Sequence, residues 1–138
     1  MEKPSDNDLQ SQGTWQGTGT ILLVDDEEGI RELCFYLLKR LGFSVLFAAD
    51  GRQAVEVFQK NREIIRCVLL DLTMPHMNGE DAFWEIRLID PNAVIIISSG
   101  YNEQDIAHRF TGENVNGFIQ KPYQLSTLTD VLKSILKP

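Results

Sequence analysis

This 138-residue sequence predicts a single three-layer α/β domain, a parallel sheet with helices on both faces. Three features predict it. Short apolar runs alternate with stretches of helical periodicity, an order that makes successive strands parallel through right-handed crossovers. The runs are apolar at consecutive positions rather than at every second one, as in strands buried on both faces. Acidic, hydroxyl and basic residues stand just past the ends of those runs, where a sheet of this type presents its site.

The first run is ILLV, 21–24, a short buried strand. Ile30, Leu33, Cys34, Leu37, Leu38 and Leu41 then recur at i, i+3, i+4, i+7, i+8 and i+11, one face of an amphipathic helix. Gly42 follows where a C-terminal cap belongs. SVLFAA, 44–49, is the second strand, and Asp50-Gly51 turns the chain into a helix over 52–60. IRCVLL, 65–70, is the third strand. A helix over 79–88 turns Ala82, Phe83 and Ile86 inward and is broken by Pro91-Asn92. AVIII, 93–97, is the fourth strand, 103–110 a short fourth helix, and GFI, 117–119, a short fifth strand. Leu125, Leu128, Leu132, Ile135 and Leu136 mark a fifth helix. Residues 1–18 are polar and rich in Gly, Ser and Gln, a flexible tail or linker with Trp15 as its one aromatic residue, which leaves 19–138 as the domain.

Composition narrows the function. Hydrophobic residues make up 43% and charged residues 24%, which is ordinary for a globular protein. The net charge of -7 and pI near 4.7 argue against a nucleic-acid-binding surface, which would show clustered Lys and Arg. No apolar run reaches the ~18 residues of a membrane span, and the N-terminus lacks the order of a signal peptide, so a cytoplasmic domain without membrane contact is expected. Cys34 and Cys67 fall in a predicted helix and strand as small core residues, and their spacing gives neither a disulfide framework nor a zinc site.

The strand ends carry the chemistry. Asp25 and Asp26 follow the first strand, Asp71 the third, Ser98 and Ser99 the fourth, and Lys121 the fifth. A parallel sheet puts all of them on one edge. Three carboxylates in contact repel one another, and a hard divalent cation relieves that repulsion. Mg²⁺ held by one or two carboxylates keeps positions open for water and phosphate. Screened by Mg²⁺ and Lys121, a carboxylate can act as a nucleophile toward phosphorus. Glu27 and Glu28 are better placed to favour the helix N-terminus through its dipole than to join the metal. His76 and His108 each stand alone, and a structural turn accounts for Met74, Pro75, Met77 and Gly79.

DD (25–26), DLTMPHMNG (71–79), SSG (98–100) and KP (121–122), in this order and spacing over 19–138, resemble the receiver domain of two-component response regulators. The resemblance implies a flavodoxin-like (CheY-like) sheet with strand order 2-1-3-4-5. It implies that Asp71 takes a phosphoryl group from phosphohistidine. Asp26, Asp71 and the Thr73 backbone carbonyl would bind Mg²⁺ (or Mn²⁺), with Asp25 acting through water. Lys121 would pair with Asp71, Pro122 would follow a cis bond, and Ser98 would hydrogen-bond the phosphoryl group. Phe118 stands where the family has a switching Tyr or Phe; without a hydroxyl, it switches by packing alone. The implied partners are a histidine kinase or histidine phosphotransfer protein as donor. A downstream protein would meet the face of the fourth helix, fifth strand and fifth helix.

The Gly-Thr-Gly lead-in at 17–19 and the FIQKPYQLSTL stretch resemble the receiver of a hybrid sensor kinase, with a stand-alone regulator as the second choice. A haloacid-dehalogenase-type phosphatase also uses an aspartate with Mg²⁺, but it resembles a D-x-D motif at the first strand, where this chain has adjacent acids and places its nucleophile at the third. A flavin-binding domain would need a phosphate-cradling loop after the first strand; the four acids at 25–28 would repel a phosphate.

Overall fold

The computed structural model describes residues 16–72, 79–100, 115–121 and 124–136. Chain order is β1 (Thr20–Val24), α1 (Glu28–Arg40), β2 (Ser44–Ala48), α2 (Gly51–Asn61), β3 (Ile65–Asp71), α3 (Gly79–Ile89), β4 (Ile95–Ser99), β5 (Gly117–Gln120) and α4 (Leu125–Ile135). The five strands form one sheet, all pairs parallel, in the order β2-β1-β3-β4-β5. The expected fold class and strand order are therefore observed. The helix expected over 103–110 lies outside the described residues, as do Trp15, Thr73, Met74, Pro75, His76, Met77, His108 and Pro122.

Alternation along each strand builds two cores. Leu22, Val24, Val68, Leu70, Ile95 and Ile97 face one side, where they pack with Ala54 and Phe58 of α2 and Ala82, Phe83 and Ile86 of α3. Ile21, Leu23, Cys67, Leu69, Ile96 and Ile119 face the other side, with Cys34, Leu37 and Leu38 of α1 and Leu128 and Leu132 of α4. Each of the large side chains among them contributes roughly 1.5–3 kcal/mol by leaving water. Both faces are covered, so the strands lose the polar alternation of a half-exposed sheet.

Helix ends follow local chemistry. Asp50 caps α2 by accepting the Gln53 N–H at 2.8 Å. Gly42 closes α1: its φ of +98° is the left-handed conformation glycine adopts freely. The N–H of Gly42 reaches the carbonyl of Lys39, and that of Phe43 the carbonyl of Leu38, the two bonds of a Schellman motif. Phe43 completes the motif by burying its ring.

Some boundaries differ from the sequence reading. Leu33, placed on the apolar face of α1, is 42% exposed. It lies roughly 90° around the helix from the centre of the arc made by Cys34, Leu37, Leu38 and Leu41. The fourth strand begins at Ile95 rather than Ala93 and runs through Ser98 and Ser99, and Asp71 belongs to β3. In both strands the backbone pairing outlasts the apolar run. From the expected tail, the described residues Gln16–Thr18 lie against the domain. The Gly17 N–H donates to the Leu41 carbonyl, and Arg66 donates to the carbonyls of Thr18 and Leu136.

Candidate functional site

The parallel sheet delivers four chain segments to its carboxyl edge, and each side chain there is held by its own backbone. Asp25 continues β1 by one residue, its N–H bonded to the Ala48 carbonyl. Its Oδ1 accepts the Glu27 N–H at 2.9 Å, a local turn, and its carbonyl accepts the Arg31 guanidinium at 2.7 Å. Asp71 closes β3 in register with Ser98, and the next N–H, of Leu72, donates to the Ser98 carbonyl. Lys121 follows β5, anchored through its N–H on the Ser99 carbonyl.

These anchors converge the side chains. Carboxylate oxygens of Asp25, Asp26 and Asp71 lie within 4.8 Å of one another. Asp25 and Asp71 are wholly buried, whereas Asp26 is exposed at the mouth. Lys121 Nζ sits 2.8 Å from Asp25 Oδ2 and 3.1 Å from Asp71 Oδ2. Burial acts to lower the Lys121 pKa, but bonds to Asp25 and the charges of Asp71 and Asp25 outweigh it, so the ammonium is held above its ordinary value. One ammonium faces three carboxylates, which leaves the pocket net negative. Carboxylate oxygens at this spacing, one set exposed, suit a hard divalent cation. Ser98 Oγ is buried beside Asp71 and has no hydrogen-bond partner among the described residues. Cys34 lies under this edge; burial, with Asp25 adding to it, pushes its thiol up to about 12.

The structure thus brings together Asp25, Asp26, Asp71, Ser98 and Lys121. Phe118 sits one strand over, half-buried against the α2/α3 core. Three contributors escape a reading of the sequence. Glu27 turns its carboxylate to 3.8 Å from Lys121 Nζ instead of capping α1. Arg31, one turn into α1, clamps the Asp25 backbone. Gly79 opens α3 directly on the end of β3: a Cβ there would stand 2.2 Å from the Asp71 carbonyl oxygen. Only Gly79 left a signal, a glycine at a helix start where close approach excludes a side chain.

A doubly wound α/β sheet with an acidic, cation-ready pocket and one lysine at its carboxyl edge defines a class of phosphoryl-accepting signalling domains. The chain belongs to the response regulator receiver domain family, whose profile matches residues 21–133. It is 36% identical over 118 residues to the chemotaxis protein CheY of Thermotoga maritima, covering 85% of this chain and 97% of that protein. It is 32% identical over 121 residues to the sensor kinase CckA of Brucella abortus, covering 88% of this chain but 13% of that protein. Among solved structures, the receiver domain of a sensor histidine kinase from Pseudomonas aeruginosa, with a magnesium ion coordinated in its active-site cleft, superposes with a TM-score of 0.78 at 26% identity. That match covers 88% of this chain and all (100%) of that one. The domain is a receiver of a two-component phosphorelay, a family that interacts with histidine kinases and phosphotransfer proteins. No helix among the described residues is long and apolar enough to cross a membrane.

Proposed function

We propose that Asp71 is the phosphoacceptor. The observation that carries this reading is its buried carboxylate, 3.1 Å from Lys121 Nζ and inside the three-aspartate cluster. An Asp71 oxygen attacks phosphorus of a phosphohistidine, the N–P bond breaks, and the imidazole nitrogen leaves with the electron pair. Lys121 holds the attacking carboxylate and then takes phosphoryl oxygens as they arrive, a charge-assisted contact. Ser98, whose buried hydroxyl lacks an acceptor among the described residues, donates to the same group. Asp26 and Asp71 would hold Mg²⁺ (or Mn²⁺), with Asp25 beside them; the Thr73 carbonyl that the family resemblance adds lies outside the described residues. The cation supplies charge neutralisation for the acidic pocket and the phosphoryl oxygens.

The domain works in the cytoplasm as the receiver of a hybrid sensor kinase, a reading supported by the similarity to CckA. Coverage of nearly the whole chemotaxis protein favours a stand-alone regulator as the second reading. Phosphorylation shifts the population between two packings around Ser98 and Phe118. A downstream protein then meets β5, α4 and the segment 103–110.

Intact-mass analysis after treatment with acetyl phosphate and Mg²⁺ tests the assignment. The wild type gains a single phosphoryl group and Asp71→Asn gains none. Stoichiometric labelling of Asp71→Asn overturns the reading, and multiple turnover of generic phosphate esters would move the protein to the phosphatase class.

A further inference from the structure

We infer that Glu27 selects among phosphoryl donors: its carboxylate disfavours doubly charged small-molecule donors at the mouth of the site. The inference rests on Asp71 as the acceptor. Glu27 occupies the N-cap of α1 in extended backbone conformation, yet its side chain makes no cap hydrogen bond. Ser, Thr, Asp or Asn at that position would accept a backbone N–H of the first turn. Glu28, in the first turn itself, already places an acid beside the helix N-terminus. Helix formation therefore does not require the Glu27 carboxylate.

Its surroundings give it another role. The Glu27 N–H is bonded to Asp25 Oδ1, so the residue is fixed beside the pocket. Its Oε1 lies 3.8 Å from Lys121 Nζ, and the side chain is 65% exposed. Lys121 already has Asp25 at 2.8 Å and Asp71 at 3.1 Å, so Glu27 is the outermost of three carboxylates drawn to one ammonium. A donor must bring its phosphoryl oxygens within reach of that ammonium to deliver the group to Asp71. It does so against the field of Glu27 and displaces it from Lys121. The opposition scales with the donor's charge. Acetyl phosphate is a dianion near neutral pH, whereas phosphoramidate carries one net negative charge, as a nitrogen-linked donor with a protonated nitrogen does. Glu27 thus tilts the site away from free acyl phosphates and toward nitrogen-linked phosphoryl groups. With acetyl phosphate, an Asp71 oxygen bonds phosphorus and acetate leaves with the electron pair of the broken O–P bond. With phosphoramidate, the N–P bond breaks and ammonia leaves with the pair. Glu27 takes no part in either bond change.

The test compares labelling rates of wild type, Glu27→Gln and Glu27→Ser with the two donors in excess Mg²⁺, alongside thermal unfolding of each protein. Both substitutions remove the charge, but only Glu27→Ser introduces a capping hydroxyl, so it should unfold at higher temperature than Glu27→Gln. The expected result is a rise of roughly threefold or more in the acetyl phosphate rate of both variants, with a smaller rise for phosphoramidate. The change in donor ratio shrinks in about 0.5–1 M salt, where charges are screened within a few ångströms. Rates that track thermal stability rather than charge overturn the proposal, as does a donor ratio unchanged in both variants. Asp71→Asn serves as the control: if it labels, the acceptor assignment fails and the selector falls with it. Labelling confined to Asp71 with an unaltered ratio sinks Glu27 alone.

Discussion

Lys121→Met keeps the aliphatic stem and removes the ammonium. Lys121 Nζ stands 2.8 Å from Asp25 Oδ2 and 3.1 Å from Asp71 Oδ2, and both carboxylates are wholly buried. At an effective dielectric of ~20, each contact is a gross attraction of about 5–6 kcal/mol. Two effects offset it. Desolvating the ammonium costs several kcal/mol. The carboxylates, with oxygens within 4.8 Å of one another, repel by at least about 3 kcal/mol per pair on the same dielectric. The substitution removes the attraction and keeps the repulsion. The pocket relaxes through its exposed side at Asp26 by taking up water. The net loss should be about 3–4 kcal/mol, at the lower end of the range for a buried pair that loses one partner. In a domain of this size that lowers the melting temperature by roughly 10 °C.

The assay is thermal and urea unfolding of both proteins in chelator, repeated with millimolar Mg²⁺ and across pH. Divalent cation should restore much of the deficit, because it supplies the missing positive charge. At alkaline pH the sign follows from Lys121 itself. Its folded pKa lies above the ordinary 10.5, so its contribution is full below that value and is lost as pH rises through the raised folded pKa. Wild type should therefore converge on the variant in that alkaline window. A variant as stable as wild type in chelator, with no response to Mg²⁺, would refute the electrostatic account of the pocket.

Gly79→Ala should destabilise by about 1–3 kcal/mol and slow labelling of Asp71, because the added Cβ would stand 2.2 Å from the Asp71 carbonyl oxygen and 2.6 Å from Leu72 Cα. Urea unfolding and labelling rates measure both effects, and an unperturbed variant would mean that α3 tolerates displacement from the strand end. Cys34 and Cys67 are buried, with thiols pushed up to about 12, chiefly by burial. The native protein should therefore be inert to a thiol–disulfide reagent at pH 8 and titrate both thiols once unfolded. Uptake by the native state would show that the α1/β3 core opens.

The layered architecture was legible because each strand is a continuous apolar run, as in parallel sheets covered on both faces. The acids and the lysine were legible for the same reason: each follows an apolar run, and parallel topology puts run ends on one edge. Where the fold departs from the reading, side-chain polarity does not mark the edge of the strand or of the buried helix face. Asp71, Ser98 and Ser99 remain in their strands because backbone pairing is indifferent to the polarity of the side chain. Ala93 and Val94 extend the apolar run without joining β4. Leu33 satisfies the helical spacing but sits at the margin of the buried arc. Glu27 was illegible in principle: its position predicts a helix terminus, and only the three-dimensional approach of Lys121 shows where its carboxylate turns.

The pocket contains two kinds of deficit, and one ligand addresses both. It has more carboxylates than cations, and at Ser98 it has a buried hydroxyl with no acceptor among the described residues. Folding works against both, which is how a site poised for a ligand departs from local rules. A phosphoryl group with its cation brings acceptor oxygens and positive charge together. Ser98→Ala should therefore act with opposite sign in two states. Without ligand, it removes a buried polar group that lacks a partner, so stability should hold or rise slightly. With beryllofluoride and Mg²⁺ as a phosphoryl mimic, it removes a donor that the mimic would have used. The stabilisation gained on ligand addition should then shrink by about 1 kcal/mol relative to wild type. Paired melting curves with and without the mimic read both signs at once. A variant that is weaker without ligand and gains as much as wild type from the mimic would show that the Ser98 hydroxyl serves the fold instead of the site.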